Sequence, residues 1–503
     1  MREKYESLPL VQLKELAKVR GLKGTSTMKK ADLVEAMLAE DERLKKEEEA
    51  KAAEQKQETV AETVRSEEPQ KQERSERPVR QERNYRPDRN YRGESAENVG
   101  VRSEAYTKER TFNPNNVAYD ESQYPKELDS GIEASGILEV MPDGYGFIRC
   151  ENYMPGENDV YVAPSQIRRF GLKTGDILKG NKRIKTQQEK FSALLFVKSI
   201  NGYTVEESSK RMAFEDMTPI FPDERIKMET PGCSIAMRVM DLVSPVGKGQ
   251  RGMIVSPPKA GKTTLLKEVA KSILRGNPKM HMLILLIDER PEEVTDIKEA
   301  IHGDNVEVIY STFDELPEHH KRVSEMVIER AKRLVEHKMD VVILLDSITR
   351  LTRAYNLVVP PSGRTLSGGL DPAALHMPKR FFGAARNMRE GGSLTILATA
   401  LVETGSQMDD VVYEEFKGTG NMEMVLDRKL SEKRIFPAID LAKSGTRRED
   451  LLLTPEELEA INIMRKALNG LKPDEATDRI LDMFAHTRNN VEFVNMVKKN
   501  HFI

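Results

Sequence analysis

The sequence predicts a multidomain α/β protein: a small N-terminal helical module, then a small β-barrel, then a doubly wound P-loop domain. Three observations predict it. Short β-like runs with turn signals between them ("GILEVM", "YGFIR", "DVYVA", "DILKG", "ALLFVKSI") fill residues 132 to about 205, the pattern of a small barrel. From about 215 onward, near-continuous apolar runs ("MLILLID", "VEVIY", "VVILLD", "LTILATA") alternate with helical patterns, as strands buried on both faces do in a parallel sheet. Finally, "SPPKAGKTT", residues 256 to 264, ends as a phosphate-binding loop ends.

Composition narrows the class. The 503 residues are enough for several domains. The formal net charge of −3 is nearly balanced, so any nucleic-acid surface is local. The two cysteines, Cys150 and Cys233, have no metal-type spacing; they argue against a disulfide framework or zinc site and fit a reducing compartment. No apolar run is long enough for a bilayer, and "MREKYESLPL" lacks a signal-peptide core. The expectation is a soluble cytoplasmic protein with no membrane partner.

Taken in order, residues 1–40 read as a helical pair, with Leu13, Leu16, Ala17 and Val19 forming a stripe, Gly21 a stop and "MKKADLVEAML" a second helix. Residues 41–130 turn acidic and then basic, with Pro, Asn and isolated Tyr. Too little apolar surface is present to offset ordering entropy, so a disordered insert is expected; it reads as a solvated tether, with weak RNA contact through its Arg–Tyr alternation as the alternative. The barrel is assigned to 131–208 and the P-loop domain to 209–503. Within the latter, "RVSEMVIERAKRLVEH" is a helix with Val323, Met326, Val327, Leu334 and Val335 on one side.

The phosphate loop departs from G-x-x-x-x-G-K-[ST] in having Ser256 at the first glycine position. Its setting, a strand over Met253–Val255 and a helix from about Thr264, is what the chemistry requires. Pro257 and Pro258 carry no N–H, so the donors fall to Lys259, Ala260, Gly261, Lys262, Thr263 and Thr264, with the helix dipole adding to the attraction. Lys262 neutralises the outer phosphates and Thr263 holds Mg²⁺. Asp346, ending "ILLD", is the second metal contact. In "LLIDERPEE", Glu289 is placed to deprotonate the attacking water. The alternative is that Asp288 or Glu289 only caps the helix begun by Pro291.

The motifs "RGMIVSPPKAGKTT", "LLIDERPEEVTD", "STFDE", "VVILLDSITRLTRAYN", "PKRFFGAARN", "YEEFKGTGNMEM" and "EKRIFPAIDLAKSGTRRE" together resemble the bacterial transcription termination factor Rho family, densely from about 132 to the C-terminus. The resemblance implies a cold-shock-like OB-fold RNA-binding domain, a RecA-like ATPase, and a homohexameric ring that threads RNA. It also implies that Gly247, Lys248, Gly249, Gln250, Arg251 and Gly252 in "GKGQRG" contact ATP along with the loop. Arg290 would be a further ATP contact, Glu289 the catalytic glutamate, and Phe436 the ring stacked on adenine. Arg447 would be the arginine finger reaching into a neighbour's site; without the resemblance it is an ordinary loop arginine.

On the barrel, Tyr145, Phe147 and Arg149 alternate and share one strand face, and Tyr161 lies on a second strand. Such rings either stack on unpaired bases or fill the core; for Phe147 both remain open. The candidate primary RNA surface is Gly144, Tyr145, Gly146, Phe147, Ile148 and Arg149 in "DGYGFIR", Asp159, Val160 and Tyr161 in "DVYV", and Glu189, Lys190 and Phe191 in "QQEKFSALL". Arg168, Arg169, Lys182, Arg183 and Lys185 are available to track phosphates. The resemblance implies pyrimidine-rich single strands. It places Arg364, Thr365, Leu366, Ser367, Gly368 and Gly369 in a first pore loop and Gln407 in a second. The family commonly has lysine where Gln407 stands, and a neutral side chain cannot ion-pair with phosphate; Lys417 is not far along the chain.

The expected function is an RNA-dependent ATPase that binds nascent RNA, moves 5′-to-3′ and releases the transcript from the RNA polymerase elongation complex. Two rivals remain. A rotary ATP synthase subunit also joins a small barrel to such an ATPase and hydrolyses ATP without RNA. A passive RNA-binding protein uses ATP only as a ligand.

Overall fold

In a computed structural model the described residues are 126–186, 189–470 and 473–499, with Lys30, Val34 and Ala36. The chain divides into two units, 1–108 and 109–503. In the first, the three described residues are helical; the rest of the predicted helical pair, and the insert up to residue 125, lie outside the described residues.

The second unit opens with a closed barrel. Its strands are β1 (Asp129–Val140), β2 (Gly146–Arg149), β3 (Val160–Val162), β4 (Ile177–Arg183) and β5 (Ser192–Ile200), in the order β1-β2-β3-β5-β4. This is an OB-type barrel, and β1 closes it by pairing with β2 and with β4. Alternation sends Leu138, Ile148, Val160, Leu178 and Val197 fully inside. The helix Pro164–Phe170 covers one end with Ile167 and Phe170.

The remaining strands are β6 (Pro219–Ile220), β7 (Arg251–Ser256), β8 (His281–Glu289), β9 (Val306–Thr312), β10 (Asp340–Asp346), β11 (Arg386–Met388), β12 (Ser393–Leu401), β13 (Met422–Val425) and β14 (Gly445–Thr446). They form one sheet whose main order is β14-β13-β7-β12-β10-β8-β9. The pairs from β13 through β9 are parallel, and β14 is antiparallel on the edge. Alternate residues feed two cores. Met282, Ile284 and Leu286 pack with Leu265 and Leu266 of the helix Lys262–Gly276. Leu283, Leu285 and Ile287 pack with Val323 and Met326 of the helix Pro317–Glu336. The doubly wound prediction holds. The loop helix begins at Lys262, two residues before its expected start.

Barrel and sheet meet along the helix Pro317–Glu336 in a polar seam. Arg211 is bidentate to the buried Asp176 (2.6 and 2.7 Å) and reaches the buried Glu336 (3.0 Å). Arg322 holds Glu139 of β1 (2.7 Å), and Asn152 exchanges two hydrogen bonds with the backbone of Tyr310 (2.7 and 3.1 Å). His337 stacks on Tyr203 at 4.4 Å and lies 3.2 Å from Asn201. Burial, reinforced by the Arg211 charge, depresses the His337 pKa from 6.5 to about 4. Its folded-state pKa lies below the unfolded one, so its stabilisation is complete above pH 6.5 and is lost as pH falls toward 4. His337→Phe keeps the stacking and removes the titration. Its melting temperature is expected to fall less than that of the parent between pH 7 and 4.5; equal falls would refute the assignment.

Candidate functional site

The sheet gathers the predicted nucleotide residues at the carboxyl ends of its parallel strands, where such sheets bind ligands. β7 ends in Ser256, whose hydroxyl turns back onto the Pro257 carbonyl (2.9 Å). The chain then folds over Pro257 to Gly261 into the helix. Gly261 has φ +94° and Lys259 φ +63°. A side chain at Gly261 would meet nothing within 4 Å, so glycine is required there for conformation, not for room. The first-turn amides of the helix Lys262–Gly276 have no intrahelical acceptor and point out of its start.

Lys262 joins two strand ends. Its Nζ lies 2.6 Å from Asp346 Oδ1, at the end of β10, and 3.4 Å from Glu289 Oε2, at the end of β8. Burial alone would lower the Lys262 pKa; Asp346 and Glu289 outweigh it and hold the ammonium charged. Burial raises the Glu289 pKa against the pull of Lys262, giving it the character of a proton acceptor. Asp346 Oδ1 also accepts from Thr399 Oγ1 (2.6 Å), while its Oδ2 is buried with no hydrogen-bond partner. The Thr263 hydroxyl lies in the same helix start, 3.3 Å from Glu293. An orphaned anionic oxygen and a nearby hydroxyl are donors suited to a hard divalent cation. Among the described residues no cluster of three or more acidic, His or Cys side chains forms a metal cage.

Beside the loop is a cavity of about 420 Å³ lined by Ala260, Gly261, Thr264, Leu265, Leu426, Phe436 and Pro437. Phe436 is 54% exposed at its rim, free to cover a flat ring. Arg290 is exposed at the same edge and precedes the helix Pro291–Ala300.

Two predicted nucleotide elements lie at the other edge. "GKGQRG" leads into β7, so Gly247 to Gly252 stand about 16 Å of strand away from the loop, at about 3.3 Å per residue. They stand at the start of β7, apart from the loop that follows its end in the same chain. Their work there is local. Gly249, φ +87°, sits where an added Cβ would lie 2.1 Å from the Asn387 nitrogen. Lys248 pairs with Glu224 and Asp340, Gln250 with Asn421 (2.6 Å), and Arg251 with the Thr419 and Ala385 carbonyls (both 3.0 Å). Arg447 follows β14, and Thr446 is opposite Met422, itself opposite Gly252. Arg447 is therefore also at the amino edge, exposed, in a cavity of about 660 Å³ with Arg448, Glu423, Lys417 and Arg465.

On the barrel, Tyr145, Phe147, Tyr161 and Phe191 form one half-exposed cluster with ring centroids 5.1–6.0 Å apart. Phe147, left open between core and platform, lies at its centre. Gly144 is half-buried at the turn before β2 and Gly146 buried within it. The Ile148 and Val160 side chains are fully inside, and Arg149 and Asp159 are buried and paired with one another, with Arg149 also on Glu139 (2.7 Å). Arg149 shares the face of the rings as expected, but it is a buried ion-pair partner and not an open phosphate contact. Next to the rings, a cavity of about 400 Å³ is lined by Tyr161, Arg183, Glu189, Lys190 and Phe191.

The two predicted pore loops touch. An added Cβ on Gly368 would lie 2.4 Å from the Met408 nitrogen, beside Gln407. Arg364, Thr365, Ser367 and Gly369 are exposed, Leu366 half-buried, and Gln407 begins the helix Gln407–Lys417 exposed. Lys417 ends that helix, about 15 Å away at 1.5 Å per residue, in the Arg447 cavity. It does not substitute for a charge at Gln407.

Family models match three stretches: Rho termination factor, N-terminal domain, at 4–41; Rho termination factor, RNA-binding domain, at 134–206; and ATP synthase alpha/beta family, nucleotide-binding domain, at 236–446. Transcription termination factor Rho of Pseudomonas aeruginosa is 56% identical over 381 residues, covering 74% of this chain and 90% of the relative. Those of Aquifex aeolicus and Bacillus subtilis are each 56% identical, over 72% and 74% of this chain and 84% and 86% of the relative. The chain belongs to the Rho transcription termination factor family.

As a Rho family member it is an RNA-binding, ATP-hydrolysing protein. Its ATPase stretch matches the ATP synthase model, but its barrel matches the Rho RNA-binding model, which removes the rotary reading. The helices from Pro164 to Lys499 include none long and apolar enough to cross a membrane. Sequence reasoning missed Arg350, which ion-pairs with Asp288 (3.1 Å), and Arg353, which joins Asp409 (2.7 Å) and Ser406 (2.8 Å) at the second pore loop. Both stand in "SITRLTRAYN", where a one-turn spacing was the available signal.

Gly261→Ala is expected to cost about 1–3 kcal/mol of stability through its left-handed backbone alone, read by urea unfolding. An unchanged midpoint would contradict the loop conformation.

Proposed function

We propose that this chain is an RNA-dependent motor ATPase: it loads pyrimidine-rich single-stranded RNA on its barrel, and nucleotide hydrolysis between protomers of a homohexamer drives 5′-to-3′ movement that frees the transcript from RNA polymerase. The observation that carries this reading is the split of the phosphoryl-transfer groups. Lys262, Glu289, Asp346 and Thr263 meet at one edge of the sheet, while Arg447 stands at the opposite edge, where only a neighbouring copy's nucleotide can meet it.

In this reading the loop amides and Lys262 cradle the β- and γ-phosphates, and Phe436 covers the adenine. Thr263 and Asp346 would hold Mg²⁺, which when bound would neutralise developing phosphate charge. Glu289 accepts the proton of the attacking water as the bond from γ-phosphorus to the bridging oxygen breaks and ADP leaves. Arg447 of the neighbour stabilises charge on the transferring group, an effect worth about 10³–10⁵ in rate. Tyr145, Phe147, Tyr161 and Phe191 stack on bases, at about 1–3 kcal/mol per base. Arg364 and Gln407 line the pore, and the neutral Gln407 contributes a hydrogen bond where a lysine would release a counterion.

Lys262→Ala and Glu289→Gln are each expected to abolish ATP turnover with cytidine-rich RNA present, and the parent to turn over slowly without RNA. RNA affinity should fall with salt at about −0.7 per neutralised phosphate. Equal turnover with and without RNA would sink the reading. Tyr145→Ala should weaken loading while nucleotide binding is unchanged; undiminished RNA affinity would move the platform elsewhere.

A further inference from the structure

The strand that carries Glu289 presents a conflict between its alternation and its use. On β8, Met282, Ile284 and Leu286 face the same core as the loop helix, and Leu283, Leu285 and Ile287 face the other. Continuing that alternation, residue 288 would face Lys262 and residue 289 would turn away. β10 behaves so: Val342, Leu344 and Asp346 share the loop-helix face without interruption. β8 does not. Its register with β9 shifts, Ile287 opposite Ser311 and Glu289 opposite Thr312, so Asp288 is an extra residue with φ +55°. A bulge of this kind re-aims the next side chain. It brings Glu289 to 3.4 Å from Lys262 and turns Asp288 outward.

The left-handed conformation is not free for aspartate, and something must hold it. Arg350, in the first turn of the helix Ile348–Val358, donates to the Asp288 carbonyl oxygen and pairs with its carboxylate at 3.1 Å. The two contacts fix both the backbone and the side chain of the extra residue. Phe313 N donates to the Glu289 carbonyl at 3.2 Å and closes the ladder after the bulge.

We propose that the Asp288–Arg350 clamp selects which of two adjacent carboxylates faces the nucleotide, making Asp288 and Arg350 positioning residues for Glu289. The inference rests on the reading of Glu289 as the proton acceptor. The clamp leaves the loop and the adenine cavity untouched, so its loss separates turnover from binding. A displacement of the acceptor by about 1 Å is enough for roughly a hundredfold loss.

The test uses the full chain with cytidine-rich RNA. Arg350→Ala should lower kcat about a hundredfold while ADP affinity stays within about twofold. Glycine takes positive φ without penalty, so adding Asp288→Gly to Arg350→Ala should restore the bulge and recover at least about tenfold in kcat. Asp288→Gly alone should stay near parental, and Asp288→Val, whose branched side chain resists positive φ, should lose kcat with Arg350 intact. If Arg350→Ala fails to fold, the two single substitutions at 288 decide. Unchanged kcat in Arg350→Ala, no recovery in the double variant, or equal behaviour of Asp288→Gly and Asp288→Val each overturns the clamp. An active Glu289→Gln would instead overturn the underlying role of Glu289.

Discussion

One ammonium placed between two buried carboxylates organises the catalytic edge. Lys262, Asp346 and Glu289 come from a helix and two strands, and their side chains are only 16%, 1% and 4% exposed. Removing one member of such a buried set costs about 3–5 kcal/mol, because the partner is left charged and dry. The cluster also carries one negative charge too many, and Asp346 Oδ2 has no partner. In the proposed reading, a further cation would answer that charge, and phosphates would compete with the two carboxylates for Lys262.

The parallel sheet determines what one chain can and cannot supply. Strands running one way put all loop-borne catalytic groups at their carboxyl ends, and β14, running back, delivers Arg447 to the other end. Burial, then the charges of Arg386 and Arg447, lower the Arg251 pKa. Such an edge favours an anionic visitor. Complementary halves on opposite edges are a geometry that closes by rotation from copy to copy, as heterologous interfaces do.

Much of this was legible in the sequence, and the limits have physical causes. The apolar runs gave the parallel strands because both faces are covered, and G-K-T after a strand gave the loop because anion binding at a helix start needs those residue types. Glu289 was picked out in the sequence, but the bulge that turns it rather than Asp288 toward Lys262 was not legible. Simple alternation points Asp288 there instead, and the bulge that reverses it is held by a contact from Arg350, 62 positions further along the chain. That Gly249 in "GKGQRG" admits the Asn387 backbone was not legible, because a glycine that admits a neighbouring backbone looks the same as one that admits a phosphate. That Arg149 is buried against Glu139 and Asp159 was not legible, because barrel closure, not local pattern, sets those partners. Lys417 looked close to Gln407 in sequence and is a helix length away.

The seam between barrel and sheet bears on force as well as stability. In the proposed motor, RNA held on the barrel rings and drawn at the pore loops would load the junction in shear. Apolar contacts resist separation but slide at little cost, since burial is non-directional. Directed, charge-assisted hydrogen bonds do not slide, because a small displacement leaves buried groups unpaired. The Asp176–Arg211–Glu336 chain and the two-way Asn152–Tyr310 pairing are of the second kind. Glu336 also accepts from the Phe214 amide (3.1 Å) and from Arg333 (3.2 Å), so one carboxylate ties the long helix to the connecting segment and, through Arg211, to Asp176 of the barrel. A purely apolar seam could be as stable at rest and would still let the barrel slip under load. The polar seam fixes where the loaded strand enters relative to the edge that hydrolyses ATP.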